Sequence, residues 1–390
     1  MREVVIAGAA RTPIGRFRGT LAGVRADHLG ALVLQELVRR AGVEPGCIDD
    51  VVFGCVTQVG EQCGNIARTA LLSAGWPETI PGMTVDRKCG SAEAAIHVGF
   101  NAIAAGSCDV VVAGGAESMT RVPMGGNRDV HGKPFGWRML ERFEQVSQGE
   151  AAERVAERWQ LSRTDLDAFS LESHRRAAAA ADHGHFDREI VPVAVAAWRE
   201  RELEGDAPVF ARDETIRRET SLEKLGTLKP SFRPDGRVTA GNSSQISDGA
   251  AALLLMSAGA AARLGVRPRA RIRAVTSVGA DPTMMLTGPV AATRKILAST
   301  GLAASGIDLY EVNEAFASVP LMWLRETGVD HDRLNVSGGA VALGHPLGAS
   351  GARIMTTLLH ELERRGARLG LQTICCAGGM ATASIIERLD

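Results

Sequence analysis

The sequence predicts a layered α/β protein, and three observations carry that expectation. Short β-branched runs alternate along the chain with Ala-rich stretches of helical period. At 390 residues the chain is longer than one ordinary core serves, so two or three domains are expected. The two ends also echo each other at a spacing of about 260 positions: GVEPGCIDDVVFG at 42–54 parallels GLAASGIDLYEVN at 301–313, and DVVVAGGAES at 109–118 parallels TICCAGGMAT at 373–382. Such an echo predicts a duplicated α/β unit.

Taken in order, the strands expected are 4–8, 50–56, 109–115, 251–256 and 371–379, each a compact run of Val, Ile, Leu or Cys. The helices expected are 27–41, 91–105, 164–182, 290–300 and 350–365. Residues from about 118 to 245 break the alternation. That stretch is richer in charge, includes WRERELEGDAPVFARDETIRRET, and reads as an inserted lobe, largely helical and irregular. The division predicted is a first half of 1–117 with 246–267, an insertion of 118–245, and a second half of 268–390.

Composition bounds the function. Apolar residues make up 45 %, enough for a large interior, and the formal net charge of −1 provides no global field for a polyanion, so nucleic acid is not an expected partner. No apolar run approaches the roughly 20 residues of a membrane span. The N-terminal MREVVIAGAARTPIG lacks the build of a secretory signal, which leads to the expectation of a cytoplasmic protein. The 7 cysteines are irregularly spaced and expected as free thiols. No CxxC pair occurs and no closely spaced histidine pair stands near a cysteine cluster, so no metal site is expected.

Four places can carry chemistry. Cys89 lies in TVDRKCGSAEAA, a short strand and a Gly/Ser turn leading into a helix. A thiol at a helix start is expected to have a lowered pKa, which suits a nucleophile, although free cysteine is also often an inert core residue. His345 sits in GHPLGASG, where Pro346 holds it in a loop before a helix and flanking glycines admit a close ligand. Cys375 ends the strand TICC before AGG, where a thiol can act as acid and base; Cys376 must point to the opposite face, and a vicinal disulfide is disfavoured by its strained geometry. Asn313 in NEAFA offers an amide to orient a water or carbonyl, with helix capping as the plainer role, and Glu314 a supporting charge.

KCGS at 88–91, NEAFA at 313–317, GHPLGASG at 344–351 and CCAGGMA at 375–381, in that order, resemble the thiolase family. RTPIGRF at 11–17 and TAGNSSQISDGAA at 239–251 match as well, so the resemblance covers essentially the whole chain. It implies a five-layered αβαβα fold of two similar halves with a loop domain inserted between them. It also implies an acyltransferase whose Cys89 is acylated, with His345 activating Cys89 and Cys375 exchanging a proton with the substrate α-carbon or the coenzyme A sulfur. Asn313 would hold a water that forms a first oxyanion hole with His345, and the backbone N–H groups of Cys89 and Ala377 a second. Ser244 would touch the pantetheine arm of coenzyme A and Arg217 its adenine end. Coenzyme A is a co-substrate in this picture, no cofactor is permanently bound, and a homodimer or homotetramer is expected.

The chain departs from the family pattern at Asp86, Ala92, Ala377 and Ala381. A left-handed backbone at Ala377 would cost about 1 kcal/mol relative to glycine. GCVTQVGEQ at 54–62, QGEAAERVAERW at 148–159 and ESHRRA at 172–177 look closer to degradative thiolases, including actinobacterial ones that shorten steroid side chains. The expectation is therefore a 3-ketoacyl-CoA thiolase acting on medium, long or bulky substrates, with residues 119–139 shaping the acyl pocket. An acetoacetyl-CoA-forming thiolase, a decarboxylating condensing enzyme and a non-catalytic binding subunit are the competing readings.

Overall fold

The structure, a computed structural model, describes residues 1–128, 130–200 and 209–389. Residues 201–208, within the charged stretch of the expected insertion, lie outside the described residues.

The strands are β1 (Val4–Arg11), β2 (Gly15–Arg16), β3 (Asp50–Gly54), β4 (Gly82–Val85), β5 (Val110–Ser118), β6 (Val193–Ala194), β7 (Val209–Phe210), β8 (Ser247–Ser257), β9 (Ala270–Gly279), β10 (Leu309–Val312), β11 (Leu369–Cys376) and β12 (Met380–Arg388). The helices of the two halves are α1 (Ala26–Ala41), α2 (Ile66–Ser73), α3 (Ser91–Ala105), α9 (Ala258–Leu264), α10 (Gly288–Thr300), α11 (Ser318–Thr327), α12 (Ala340–Leu343) and α13 (Ser350–Arg365). Between β5 and β8 lie α4 (Trp137–Leu140), α5 (Gln148–Arg158), α6 (Arg163–Asp182), α7 (Val195–Trp198) and α8 (Leu222–Gly226).

Sheet topology shows the duplication. In the first half β3 runs parallel to β5, β5 antiparallel to β8, and β8 antiparallel to β1. In the second half β10 runs parallel to β11, β11 antiparallel to β12, and β12 antiparallel to β9. Even the edge recurs: β4 lies parallel to β3, and Leu334 makes a single parallel bridge to Tyr310 in the matching place. The halves join where Val5 and Ile6 pair with Arg271 and Ala270, giving one 10-stranded sheet. What differs is one connection. A tight turn links β11 to β12, whereas the equivalent connection from β5 to β8 carries α4–α8.

Five layers result. Helices α1 and α2 cover the outer face of the first half-sheet, α3 and α13 pack against each other between the halves, and α10 with α11 covers the outer face of the second. Strand β8 shows why the sequence reads as it does. Leu254 and Met256 enter the outer core with Leu34 and Phe53, while Leu253 and Leu255 enter the central core with Ile96 and Met355. Alternate residues face opposite sides, and both sides are buried, so the strand is a continuous apolar run. Helix α13 is buried from Ser350 to Leu362, as a helix enclosed in a middle layer must be.

The expected strand 371–379 is corrected. It ends at Cys376, and the chain reverses through Gly378 (φ 89°) and Gly379 (φ 74°) into β12. Strands β9 and β12 escaped sequence reading because ARIRAVTSVG and MATASIIER mix polar and small residues with apolar ones. Among the described residues no helix is long and apolar enough to cross a membrane.

Candidate active site

Cys89 stands at the end of a turn that the local sequence forces into shape. After β4 the chain must reverse into α3, and Lys88 takes the left-handed conformation (φ 52°) to do so. For a residue with a side chain this costs about 1–2 kcal/mol. Three side-chain contacts hold it. Asp86 accepts from Lys88 N at 2.7 Å and from Lys88 Nζ at 2.6 Å, and Ser91 Oγ donates to Lys88 O at 2.6 Å. Asp86, a departure from the family pattern, thus serves as acceptor and counter-charge in this turn.

The thiol itself is buried at 4 % exposure. Burial pushes its pKa up to about 11, against the opposing pull of the backbone N–H groups of Ala377 and Cys89 and the charge of Lys88. The expectation of a lowered pKa is corrected. Helix α3 begins two residues later, at Ser91, and desolvation outweighs the partial charge of its N-terminus.

Cys375, on β11 opposite Ala381, is 1 % exposed. Its pKa is also raised, first by burial and next by the charge of Cys89, so the two thiols sense each other electrostatically. Cys376 faces the other way. A Cβ added at Gly90 would lie 2.6 Å from Cys376 Sγ, so that thiol fills the space under the start of α3. Ala377 is not among the residues with left-handed backbone; Gly378 and Gly379 take that role, and the expected strain at Ala377 does not arise. Its backbone N–H is left to point at Cys89.

His345 lies between α12 and α13 at 4 % exposure. Its Nδ1 is 2.6 Å from Ser350 Oγ and its Nε2 is 3.4 Å from Asn313 Nδ2. Burial, with the charge of Arg353 adding to it, lowers the imidazole pKa to about 3, so the ring rests neutral. Asn313 follows β10 and is fixed by its N–H to Thr373 O at 3.1 Å; its Oδ1 is buried without a hydrogen-bond partner among the described residues. It caps no helix, because the residue preceding α11 is Ala317. Glu314 accepts from Ser173 Oγ, Asn335 Nδ2 and Val341 N at 2.7, 2.8 and 3.1 Å, tying this segment to α6 and α12.

The loop bearing His345 is seated by a residue that sequence reasoning missed. Glu117, at the end of β5, accepts from Val56 N, Thr57 N and Gly348 N at 2.8, 3.0 and 2.8 Å. The loop can come that close because Gly54 and Gly115 are paired across β3 and β5; a Cβ on either would collide with the carbonyl of Gly348. A carboxylate ending the apolar run VVVAGGAES was the available signal, since an acid there needs buried donors.

Arg217 and Ser244 are held by contacts of their own. Arg217 N donates to His174 Nδ1 at 3.1 Å, and both residues line a cavity of about 420 Å³ with Arg218, Lys224, Leu228 and Gln245. Ser244 is tethered by its N–H to Ala315 O at 3.0 Å. Its neighbour Gln245 links the cavity to His345, because its carbonyl accepts from His345 N at 3.1 Å. Among the described residues no group of three or more His, Cys, Asp and Glu side chains is arranged to hold a metal ion.

Comparison with known proteins places the chain in a family. Residues 4–259 match the thiolase N-terminal domain and residues 266–388 the thiolase C-terminal domain. The chain is 47% identical to a steroid 3-ketoacyl-CoA thiolase of Mycobacterium tuberculosis, covering 100% of this chain and 95% of that one. It is also 47% identical to a β-ketoadipyl-CoA thiolase of Pseudomonas putida, with 100% of both covered. The crystal structure of an acetyl-CoA acetyltransferase of Bacillus anthracis superposes with a TM-score of 0.91 at 41% identity, covering 100% of this chain and 99% of that one. With both domain models matched almost end to end and the same fold in a solved relative, the chain belongs to the thiolase family of acyltransferases.

Proposed function

We propose that this enzyme is a 3-ketoacyl-CoA thiolase that works through an acyl-Cys89 intermediate. The observation that carries the reading is the Ala377 N–H directed at the Cys89 thiol, with Cys375 electrostatically coupled to the same sulfur. His345 takes the Cys89 proton, and the sulfur attacks the keto carbon of a 3-ketoacyl-CoA. The Cα–Cβ bond breaks; its electron pair leaves on acetyl-CoA as an enolate, and Cys375 supplies the proton that turns it into acetyl-CoA. A second coenzyme A gives its thiol proton to Cys375 and takes the acyl group from Cys89, whose sulfur recovers its proton from His345.

Both steps develop negative charge on oxygen, so donors fixed in advance matter; one such donor contributes about 3–4 kcal/mol. The N–H groups of Cys89 and Ala377 form one oxyanion hole, and His345 with a water held by Asn313 forms the other. Neutral resting groups suit this scheme. A thiol raised to about 11 and an imidazole lowered to about 3 store no ion pair in the free enzyme. Charge appears only once substrate is bound and the donors have an oxyanion to hold.

The cavity at Arg217 and His174 takes the adenine end of coenzyme A, where Arg217, Arg218 and Lys224 provide cationic partners for phosphate. Ser244 lies along the pantetheine arm. In this reading residues 1–117 with 246–267 deliver the nucleophile, 268–390 deliver His345 and Cys375, and 118–245 form the coenzyme A and acyl pockets. The relatives named for steroid and β-ketoadipyl substrates support an acyl chain larger than acetoacetyl. Coenzyme A is the co-substrate, the working form is a homodimer or homotetramer, and 7 free cysteines fit a reducing cytoplasm.

Mass spectrometry after incubation with a 3-ketoacyl-CoA tests the chemistry. An acyl adduct on Cys89 that is absent from Cys89→Ala is expected; no adduct on either protein overturns the reading. For substrate, longer 3-ketoacyl-CoA esters should be cleaved faster than acetoacetyl-CoA. Equal or reversed rates would instead favour the acetoacetyl-CoA type, to which the Bacillus anthracis relative's name points.

A further inference from the structure

We propose that Ser350 is a positioning residue that fixes His345 as the Nδ1–H tautomer, leaving Nε2 as the nitrogen that exchanges protons. The proposal rests on the thiolase reading for its catalytic meaning, but its geometry stands apart from it.

A serine hydroxyl has one proton and two lone pairs. Ser350 Oγ makes two short contacts, to Pro346 O at 2.8 Å and to His345 Nδ1 at 2.6 Å. The carbonyl oxygen can only accept. Two oxygens at 2.8 Å with no hydrogen between them repel, so the hydroxyl proton belongs on the Pro346 side. This is the back-bond from the first turn of a helix to the carbonyl four residues earlier. The lone pairs of Oγ then face the imidazole, and the 2.6 Å contact is attractive only when Nδ1 carries a hydrogen.

The other edge of the ring gives the same answer independently. Asn313 Nδ2 lies 3.4 Å from Nε2. An amide NH₂ is a donor, and a protonated Nε2 would set two donors face to face; a bare Nε2 accepts. Both neighbours therefore select one tautomer, and each uses a different atom of the ring.

The consequence is directional. When Nε2 takes the Cys89 proton, the imidazolium keeps its Nδ1–H on Ser350 Oγ, and that bond becomes charge-assisted. Ser350 needs no charge of its own and touches no substrate. It is held by the turn from Pro346 into α13, and Ala349 N and Ser350 N also donate to Pro346 O at 3.0 Å. The helix start thereby aims the ring.

The test is the nitrogen-15 spectrum of protein labelled at histidine, with the His345 signals identified by their loss in His345→Asn. In the wild type, Nδ1 is expected as the protonated nitrogen and Nε2 as the bare one. In Ser350→Ala only Asn313 is left to select the tautomer, so the Nδ1–H share should fall below that of the wild type, with kcat falling about 10- to 100-fold and KM little changed, by analogy with the loss of a partner that orients a metal-ligating histidine. Ser350→Thr, which keeps the hydroxyl, should recover tautomer and rate together. A wild-type spectrum with Nε2 protonated overturns the proposal without any variant having to fold. So does a Ser350→Ala protein whose Nδ1–H share equals that of the wild type, whatever its rate. Absence of an acyl adduct on Cys89 with the tautomer as stated would instead defeat the thiolase chemistry and leave the role of Ser350 intact.

Discussion

Glu117 and Gly348, 231 positions apart, are joined by a 2.8 Å hydrogen bond from the Gly348 N–H to Glu117 Oε2, and this bond ties the His345 loop to the half of the molecule that carries Cys89. Cys89, between β4 and α3, and His345, between α12 and α13, belong to different halves of the molecule. Their relative placement depends on buried contacts of this kind, because loops by themselves hold no fixed geometry.

Replacing Glu117 should therefore disturb stability and chemistry together. Glu117→Ala strips the acceptor from the N–H groups of Val56, Thr57 and Gly348 and from Gln62 Nε2, all buried. At about 1–3 kcal/mol for each buried donor left unpaired, a loss of at least about 3 kcal/mol is expected in urea unfolding. A loss of unfolding free energy smaller than about 1 kcal/mol would show that the loop is seated by something else.

The pH behaviour of Cys89 follows from its burial. With its pKa raised to about 11, the thiolate fraction of the free enzyme should climb roughly tenfold per pH unit from pH 7 to 10. Alkylation of Cys89 by iodoacetamide should rise accordingly, without a plateau in that range. A plateau near pH 7 would mean a standing thiolate–imidazolium pair.

His345 makes an opposite prediction for stability in acid. Its folded pKa of about 3 is below the ordinary histidine value, so between those two values the unfolded chain binds a proton that the folded protein does not. Its contribution is intact above about pH 6.5 and is lost progressively as pH falls through that window. Going from about pH 6.5 to 5, the wild type should lose about 2 kcal/mol relative to His345→Asn. Parallel unfolding curves for the two proteins over that range would contradict the neutral, buried ring.

The turn before the nucleophile separates two roles of Asp86. In Asp86→Asn one oxygen still accepts from Lys88 N, and only a half-exposed ion pair with Lys88 is lost. A change within about 0.5 kcal/mol and near-normal Cys89 labelling are expected. Asp86→Ala removes the support of the left-handed Lys88, and labelling of Cys89 should fall severalfold. Equal effects from both substitutions would point to charge rather than to the turn.

Behind the nucleophile, Gly90 and Cys376 share one space. A Cβ at residue 90 would sit 2.6 Å from Cys376 Sγ and 2.9 Å from Thr382 Oγ1. Gly90→Ala should cost about 1–3 kcal/mol by overpacking and depress activity by displacing the start of α3. The double variant Gly90→Ala with Cys376→Ala should recover part of both, as measured by thermal unfolding and thiolysis rate. Strict additivity of the two substitutions would exclude the contact.

Much of this molecule is legible without coordinates. Helices α3 and α13 fall where helical period and composition place them, and β8 is readable because LLLM is apolar on two buried faces. The duplicated halves are visible because local sequence repeats wherever local structure does. Four motif-bearing segments carry Cys89, Asn313, His345 and Cys375, since each motif is a short run whose turn chemistry demands particular residues. Strands β9 and β12 were not legible, because a mixed sequence becomes a strand only when neighbours on both sides offer a ladder.

Local sequence determined the strands and helices of strong period, the turns, and the motifs that carry the proposed reacting side chains, because these depend on residues within a few positions of one another. Tertiary structure alone decided the protonation of those side chains and what holds them. Cys89 sits before a helix, yet its thiol is raised because desolvation sums over every atom packed around it, including Leu347 and Ile374 from the far end of the chain. Glu117 and Ser350 acquire their roles in the same way. A hydrogen bond to a buried partner is a fact about three-dimensional neighbours, and no periodicity in the chain encodes it.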